Sequence, residues 1–187
     1  MVFIHDPDGA ADQAITEAYP VLERLRTQGI VKTIGVGITS NEIPTRFINE
    51  TDIDVVLIAL RYTLLDQSAA KELLPAAIKK GVSVVAGGVF NSGILTDPKA
   101  GATFNYEVAS PEVLARAQNI EKFFIERGVS LTQAALQYPM RHPAISAILV
   151  GCRNGDEVQK NVELYNRSIS EEIWNEFDNF LFDSRAR

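Results

Sequence analysis

From Ala147 through Gly151 to Asn154 an apolar run stops at a glycine and enters the polar loop Cys152-Arg153-Asn154. A helix then opens on Asp156 and Glu157 and carries Asn161 about one turn further on. Backbone N–H groups and a positive helix end lying side by side suit a phosphate-bearing ligand. Other residues able to do chemistry also stand where apolar runs end. His5-Asp6 follows Val2-Phe3-Ile4, Ser40 and Asn41 close the stretch 37–41, Arg61-Tyr62 follows 54–60, and the small residues of 87–93 follow 82–86. Together these ends offer an imidazole, amides, hydroxyls, two arginines and glycines that let a backbone approach a large ligand.

Other chemistries find less support. The two histidines are far apart and Cys152 is the only cysteine, so no metal-ligand cluster forms in the sequence. No glycine-flanked serine marks a nucleophile elbow. Cys152 reads as a small strand-end residue, although Arg153 beside it would favour a modestly reactive thiolate. The net charge of −6 and the lack of a basic, aromatic-interleaved stripe argue against nucleic acid. No stretch approaches a membrane span in length, and Met1–Pro7 lacks a secretion signal, so the cytoplasm is the default. With one cysteine no intrachain disulfide exists, which suits a reducing compartment.

The elements that must position these residues alternate. Short apolar runs rich in branched residues occur at 2–5, 31–38, 54–60, 82–86 and 145–150. The third is nearly uninterrupted, as a strand buried on both faces should be. Between them the spacing predicts helices over 17–28, 41–50, 66–80, 111–127, 131–141, 156–165 and 170–182. Gly29, Gly81 and Gly128 stop three of them, Ser40 caps the second, and Ser110-Pro111 opens the fourth. The interval 87–110 is glycine-rich without periodicity, and an insertion of that length after a strand is more often functional than decorative. Trp174, Phe177, Phe180 and Phe182 fall at helical spacing and read as packing residues. Strand and helix in alternation mean parallel βα units with right-handed crossovers, in an α/β fold that is either a βα barrel or a doubly wound sheet. Composition is that of one ordinary globular domain, 46% hydrophobic and 22% charged over 187 residues.

Several of these segments, in order, resemble the aldo-keto reductase family from Val2 to about Asn179. Phe3-Ile4-His5 is similar to the family's fourth barrel strand, and 29–37 to its fifth. The stretch 81–95 looks like the seventh strand with its pyrophosphate loop. Val150-Gly151-Cys152-Arg153-Asn154 followed by Asn161 looks like the eighth strand and adenosine segment. Arg61-Tyr62-Thr63-Leu64-Leu65-Asp66-Gln67 resembles the branch of aldose, fucose, galactose and pyridoxal dehydrogenases. The resemblance implies a partial (β/α)8 TIM barrel, five parallel βα units corresponding to strands four to eight, in a single domain over 1–187.

It also implies roles. His5 would orient the reacting carbonyl or hydroxyl oxygen, and Ser40 and Asn41 would hold the nicotinamide carboxamide. Phe90, Asn91, Gly93 and Leu95 would wrap the pyrophosphate; Gly151, Arg153, Asn154, Glu157 and Asn161 would surround the adenosine half. Ala59 stands where the family often has a glutamine touching the carboxamide. Glu157 stands where members specific for NADPH often carry an arginine, so of NAD and NADP the reading favours NAD. The substrate would be a small carbonyl compound or sugar, with an aldose or pyridoxal-type hemiacetal oxidised to a lactone. The family's catalytic tyrosine, lysine and aspartate lie on the first three strands. The chain alone is therefore expected to be inactive, with open strand edges that pair with an N-terminal portion or a second copy. Two other readings stand beside this one, a non-catalytic nucleotide-binding or assembly module and a phosphate-binding isomerase barrel.

Overall fold

The computed structural model describes residues 1–185, with side chains described through Phe182. The chain runs β1 (Val2–His5), α1 (Ala11–Gln13), a π-helical turn (Ala14–Ala18), α2 (Tyr19–Thr27), β2 (Ile34–Ile38), α3 (Glu42–Glu50) and β3 (Val55–Ala59). A 3-10 turn (Ser68–Ala70), α4 (Leu73–Lys80), β4 (Ser83–Gly87), a second 3-10 turn (Asn91–Gly93) and the hairpin β5 (Thr103–Phe104) and β6 (Glu107–Val108) follow. The chain then forms α5 (Pro111–Ile125), α6 (Leu131–Gln137), a 3-10 turn (Tyr138–Arg141), β7 (Ile145–Leu149), α7 (Gly155–Asn166) and α8 (Glu171–Arg185). Packing divides it into two compact units, Met1–Val89 with Pro139–Gly151, and Phe90–Tyr138 with the described residues from Cys152 on.

The first unit holds a five-stranded, wholly parallel sheet in the order β1-β2-β3-β4-β7. Its register aligns His5, Gly37, Leu57, Val85 and Ala147 in one row across the strands. The alternate row, Val36, Val56 and Val84, is wholly buried, as are Ile58 and Ala86, and forms the core. Gly35 is dictated by packing. A Cβ there would lie 2.6 Å from the Val55 carbonyl and 2.7 Å from Phe3 Cε1. Against the expectation of a strand buried on both faces, Leu57 and Ala59 are half-exposed, so the two faces of β3 differ. Period-2 alternation separates the two rows, and only one of them is fully covered.

Local boundaries depart from the sequence reading for identifiable reasons. The first helical stretch begins at Ala11 and not at residue 17, because a π turn joins two α segments. Within it the Tyr19 N–H reaches back to the Ala14 carbonyl, which widens the helix just ahead of Pro20. Proline lacks an N–H and its ring clashes in a regular helix, so the wider turn accommodates it. The stretch 66–80 is split, with a 3-10 turn before α4, and 131–141 is likewise a short α-helix followed by a 3-10 turn. Ser40 does not cap α3. Asn41 takes that position in a helical conformation with no side-chain capping bond, which frees its amide for another partner.

In the second unit, Ser110 and Ser130 cap α5 and α6 by accepting the N–H groups of Val113 and Gln133. The Gln133 and Gln137 amides both donate to the Arg167 carbonyl at 2.7 Å, which ties α6 to the end of α7. Phe123, Phe124, Tyr138, Trp174 and Phe177 form a buried aromatic cluster between α5, α6 and α8. Phe182, expected in that set, is 74% exposed. The aperiodic interval 87–110 contains the hairpin, whose turn residues Asn105 and Tyr106 both have positive φ, at 51° and 70°. Among the described residues no helix is long and apolar enough to cross a membrane.

Candidate functional site

In the first unit the candidates lie at the C-terminal ends of parallel strands, where such sheets bind ligands. His5 ends the edge strand β1 in register with Gly37, and its side chain is 72% exposed. The Asp6 carboxylate lies 3.4 Å from its Nδ1. Asp6 itself has φ 46°, a left-handed kink that reverses the chain directly after the strand. Beside β1 runs an open groove of about 510 Å3, lined by Ile4, His5, Ala10, Ala14 and Ala18 among others.

The exits of β2 and β3 are laced together. Arg61 Nε donates to the Thr39 carbonyl at 2.6 Å and Nη1 reaches the Asp66 carboxylate at 3.3 Å. Asp66 Oδ1 accepts the Ser68 N–H at 2.8 Å, and Ser68 Oγ accepts the Asn41 amide at 2.9 Å. The other atom of that amide, Asn41 Oδ1, is buried without a hydrogen-bond partner. A buried acceptor left unpaired is uncommon and costs about 1–3 kcal/mol, so it marks a place where a ligand N–H fits. Ser40, half-exposed, precedes it. Tyr62 is buried and meets the His142 ring edge-on. Gly151 closes this unit, exposed and with open space where a Cβ would stand.

In the second unit the loop after β4 is held in an uncommon backbone state. Asn91, Ser92 and Gly93 have φ values of 45°, 61° and 109° in succession. The hairpin steadies them. The Ser92 carbonyl accepts Thr103 Oγ1 at 2.6 Å and its Oγ accepts the Tyr106 N–H at 2.9 Å. The Gly93 N–H closes the turn by donating to the Phe90 carbonyl at 3.0 Å. Phe90 is half-exposed, Asn91 is wholly buried, and the Leu95 side chain lies in the core with its N–H donated to the Phe90 carbonyl. Leu95 therefore presents no side-chain surface to a ligand.

Asn154 caps α7, accepting the Glu157 N–H at 2.9 Å. Glu157 does not stand alone as the sequence suggested. Its carboxylate accepts the Arg153 N–H at 2.9 Å and grips the guanidinium at 2.8 Å and 2.6 Å. Those bonds hold the Glu157 carboxyl below its usual range and raise the Arg153 pKa. The two charges seen separately in the sequence are one neutral clamp. Asn161 Nδ2 points at Cys152 Sγ, 3.4 Å away. Val158, Val162 and Tyr165 leave an exposed apolar stripe on α7, which buries no residue.

The sequence reading missed Ser68, Asp66 and Arg61 as one assembly. A serine in a polar loop carries no signal until the fold sets it against Asn41. Among the described residues no three His, Cys, Asp or Glu side chains converge to hold a metal ion.

The sequence profile of the aldo/keto reductase family matches residues 1–181. A pyridoxal 4-dehydrogenase of Microbacterium luteolum is 41% identical over 157 residues, covering 83% of this chain and 46% of that protein. A D-threo-aldose 1-dehydrogenase of a Pseudomonas species is 34% identical over 179 residues, covering 94% of this chain and 54% of that one. This chain thus spans about half the length of these curated relatives. Among solved structures, an aldo-keto reductase from Bacillus halodurans superposes with a TM-score of 0.72 at 21% identity, over 95% of this chain and 59% of that chain. A glycerol dehydrogenase from Gluconobacter oxydans gives 0.70 at 23%, over 96% and 57%. At such identities the two structures speak to the fold.

Proposed function

Because the chain belongs to the aldo/keto reductase family, we propose that it forms strands four to eight of an NAD(P)-dependent oxidoreductase that oxidises a cyclic hemiacetal, of the aldose or pyridoxal kind, to a lactone. The observation that carries this reading is His5, exposed at the C-terminal end of β1 with Asp6 behind it. An imidazole so placed donates or accepts a hydrogen bond at a substrate oxygen. In the oxidation the anomeric C–H bond breaks with its electron pair, the hydroxyl gives up its proton, and the C=O bond forms. When bound, the nicotinamide supplies the hydride acceptor. His5 holds the oxygen, and the proton passes to the tyrosine that the resemblance puts on an earlier strand of the whole enzyme.

The chain's own residues suit such a dinucleotide unit by unit. In the first, Asn41 Oδ1 is a buried acceptor that a carboxamide N–H would satisfy, with Ser40 beside it. In the second, the left-handed turn at Ser92 and the capped start of α7 bring backbone to where phosphate oxygens would lie. Arg153 and Glu157, paired, present no net charge to the ribose, and that neutrality favours NAD. The edges of β1 and β7 are the docking lines for three further βα units, which would also cover the half-exposed face bearing Leu57 and Val85. A cytoplasmic setting fits this chemistry.

Reduction of NAD+ across a panel of aldoses and pyridoxal tests the reading, with this chain fused to the three βα units that the resemblance puts before it. Turnover of at least one hemiacetal is expected, and His5→Gln should lower it by about 10²-fold. Cofactor binding with no turnover on any member of the panel would point instead to a nucleotide-binding module.

A further inference from the structure

We propose that Ser68 is a positioning residue for the amide group of a ligand held at Asn41, and that Asp66 and Arg61 keep Ser68 in place. The proposal rests on the nicotinamide reading of Asn41 and adds residues to it. An asparagine side chain can present either its oxygen or its nitrogen to a ligand, and only its surroundings decide which. Here Nδ2 is spent on Ser68 Oγ at 2.9 Å, so Oδ1 is left as the acceptor, buried and unpaired. A primary amide offers the N–H donor that this atom lacks.

Ser68 is in turn fixed by a closed circuit. Its N–H goes to Asp66 Oδ1 at 2.8 Å, Asp66 Oδ2 meets Arg61 Nη1 at 3.3 Å, and Arg61 Nε holds the Thr39 carbonyl at 2.6 Å. Thr39 lies two residues before Asn41, so the circuit returns to the residue it orients. Thr63 Oγ1 accepts the Asp66 N–H at 3.0 Å and the Leu65 N–H at 3.2 Å, which stiffens the turn that carries the carboxylate. The Asp66 and Arg61 side chains are 19% and 26% exposed, so solvent screens this pair less than a surface ion pair. At Ala59, where the family often supplies a glutamine to the carboxamide, no amide is present. Ser68 reaches Asn41 from the far side of the same loop and meets the need by holding the asparagine instead of touching the ligand.

The test compares two ligands that differ by one group. The chain fused to three preceding βα units, and its Ser68→Ala and Ser68→Thr variants, are each titrated with NADH and with ADP-ribose, which lacks the nicotinamide. Ser68→Ala is expected to weaken NADH roughly tenfold while ADP-ribose stays within about twofold, and Ser68→Thr is expected to restore NADH. Equal weakening of both ligands, or NADH affinity unchanged in Ser68→Ala, overturns the positioning role and leaves the cofactor reading standing. Failure of the unsubstituted fusion to bind either ligand removes the cofactor reading and this role with it. Asp66→Asn gives an independent handle should Ser68→Ala fail to fold. It keeps the hydroxyl and loosens Arg61, so a smaller loss for NADH alone supports the circuit, and parallel losses for both ligands overturn it.

Discussion

His142 shows how much a residue's surroundings add to its name. Its ring lies edge-on to Tyr62 with centres 5.4 Å apart, and its Nδ1 accepts the Ala144 N–H at 3.2 Å. Its neighbours Arg141 and Pro143 in the sequence suggest a surface or capping residue. In the fold it is half-buried, and burial pushes its pKa below the ordinary 6.5. The folded state therefore binds its proton less readily than the unfolded chain does. The resulting stability is fully present above pH 6.5 and is lost as pH falls through the lowered folded value. Protonation also puts a hydrogen on the nitrogen that accepts from Ala144. His142→Asn keeps an acceptor there without a titrating group, so its melting temperature should fall less than that of the unsubstituted chain between pH 7 and pH 5. Parallel melting curves for the two would sink the idea. By contrast His5 was legible early, because a polar residue closing an apolar strand shows in one dimension. Ser68 was not, because its partner is 27 residues away in sequence.

At the scale of elements, strands read more surely than helices. Every apolar run became a strand within a few residues, since branched side chains in short runs leave few alternatives. The π turn ahead of Pro20 and the Asn105-Tyr106 hairpin were hidden, the first because proline usually marks a helix start, the second because its turn lacks the expected glycine. The first turn of α7 carries the element-scale prediction. There Arg153 and Glu157, which the resemblance set separately around the adenosine half, form one clamp. Glu157→Gln keeps the shape and releases the guanidinium, and should shift the NADPH-to-NADH affinity ratio toward NADPH by about tenfold. Titration of both reduced cofactors by fluorescence measures it; an unchanged ratio would mean that Arg153 does not face the ribose phosphate.

At the scale of the whole molecule, alternation of strand and helix made the parallel sheet legible, whereas the grouping of residues 90–138 with the described residues from 152 on into a second unit was not. Compactness depends on contacts across long sequence separations, which composition and periodicity do not encode. The free edges make their own prediction. Leu149, on the outer strand β7, is 56% exposed, and Val2 on β1 is 37% exposed. A chain with both edges open should self-associate as concentration rises, and the pair Val2→Lys and Leu149→Lys should suppress this in light scattering. A mass that stays monomeric at every concentration, before and after substitution, would argue that the edges are not docking lines. The strand order has a further consequence for how the protein is made. Each of β2, β3 and β4 pairs with the strand synthesised just before it, so the sheet can grow in step with the emerging chain. Only β7 must wait, because the hairpin, α5 and α6 leave the ribosome between it and its neighbour β4. The slow step of folding then falls on that one long-range pairing, and translation speed through residues 88–144 becomes part of what decides whether the sheet is completed.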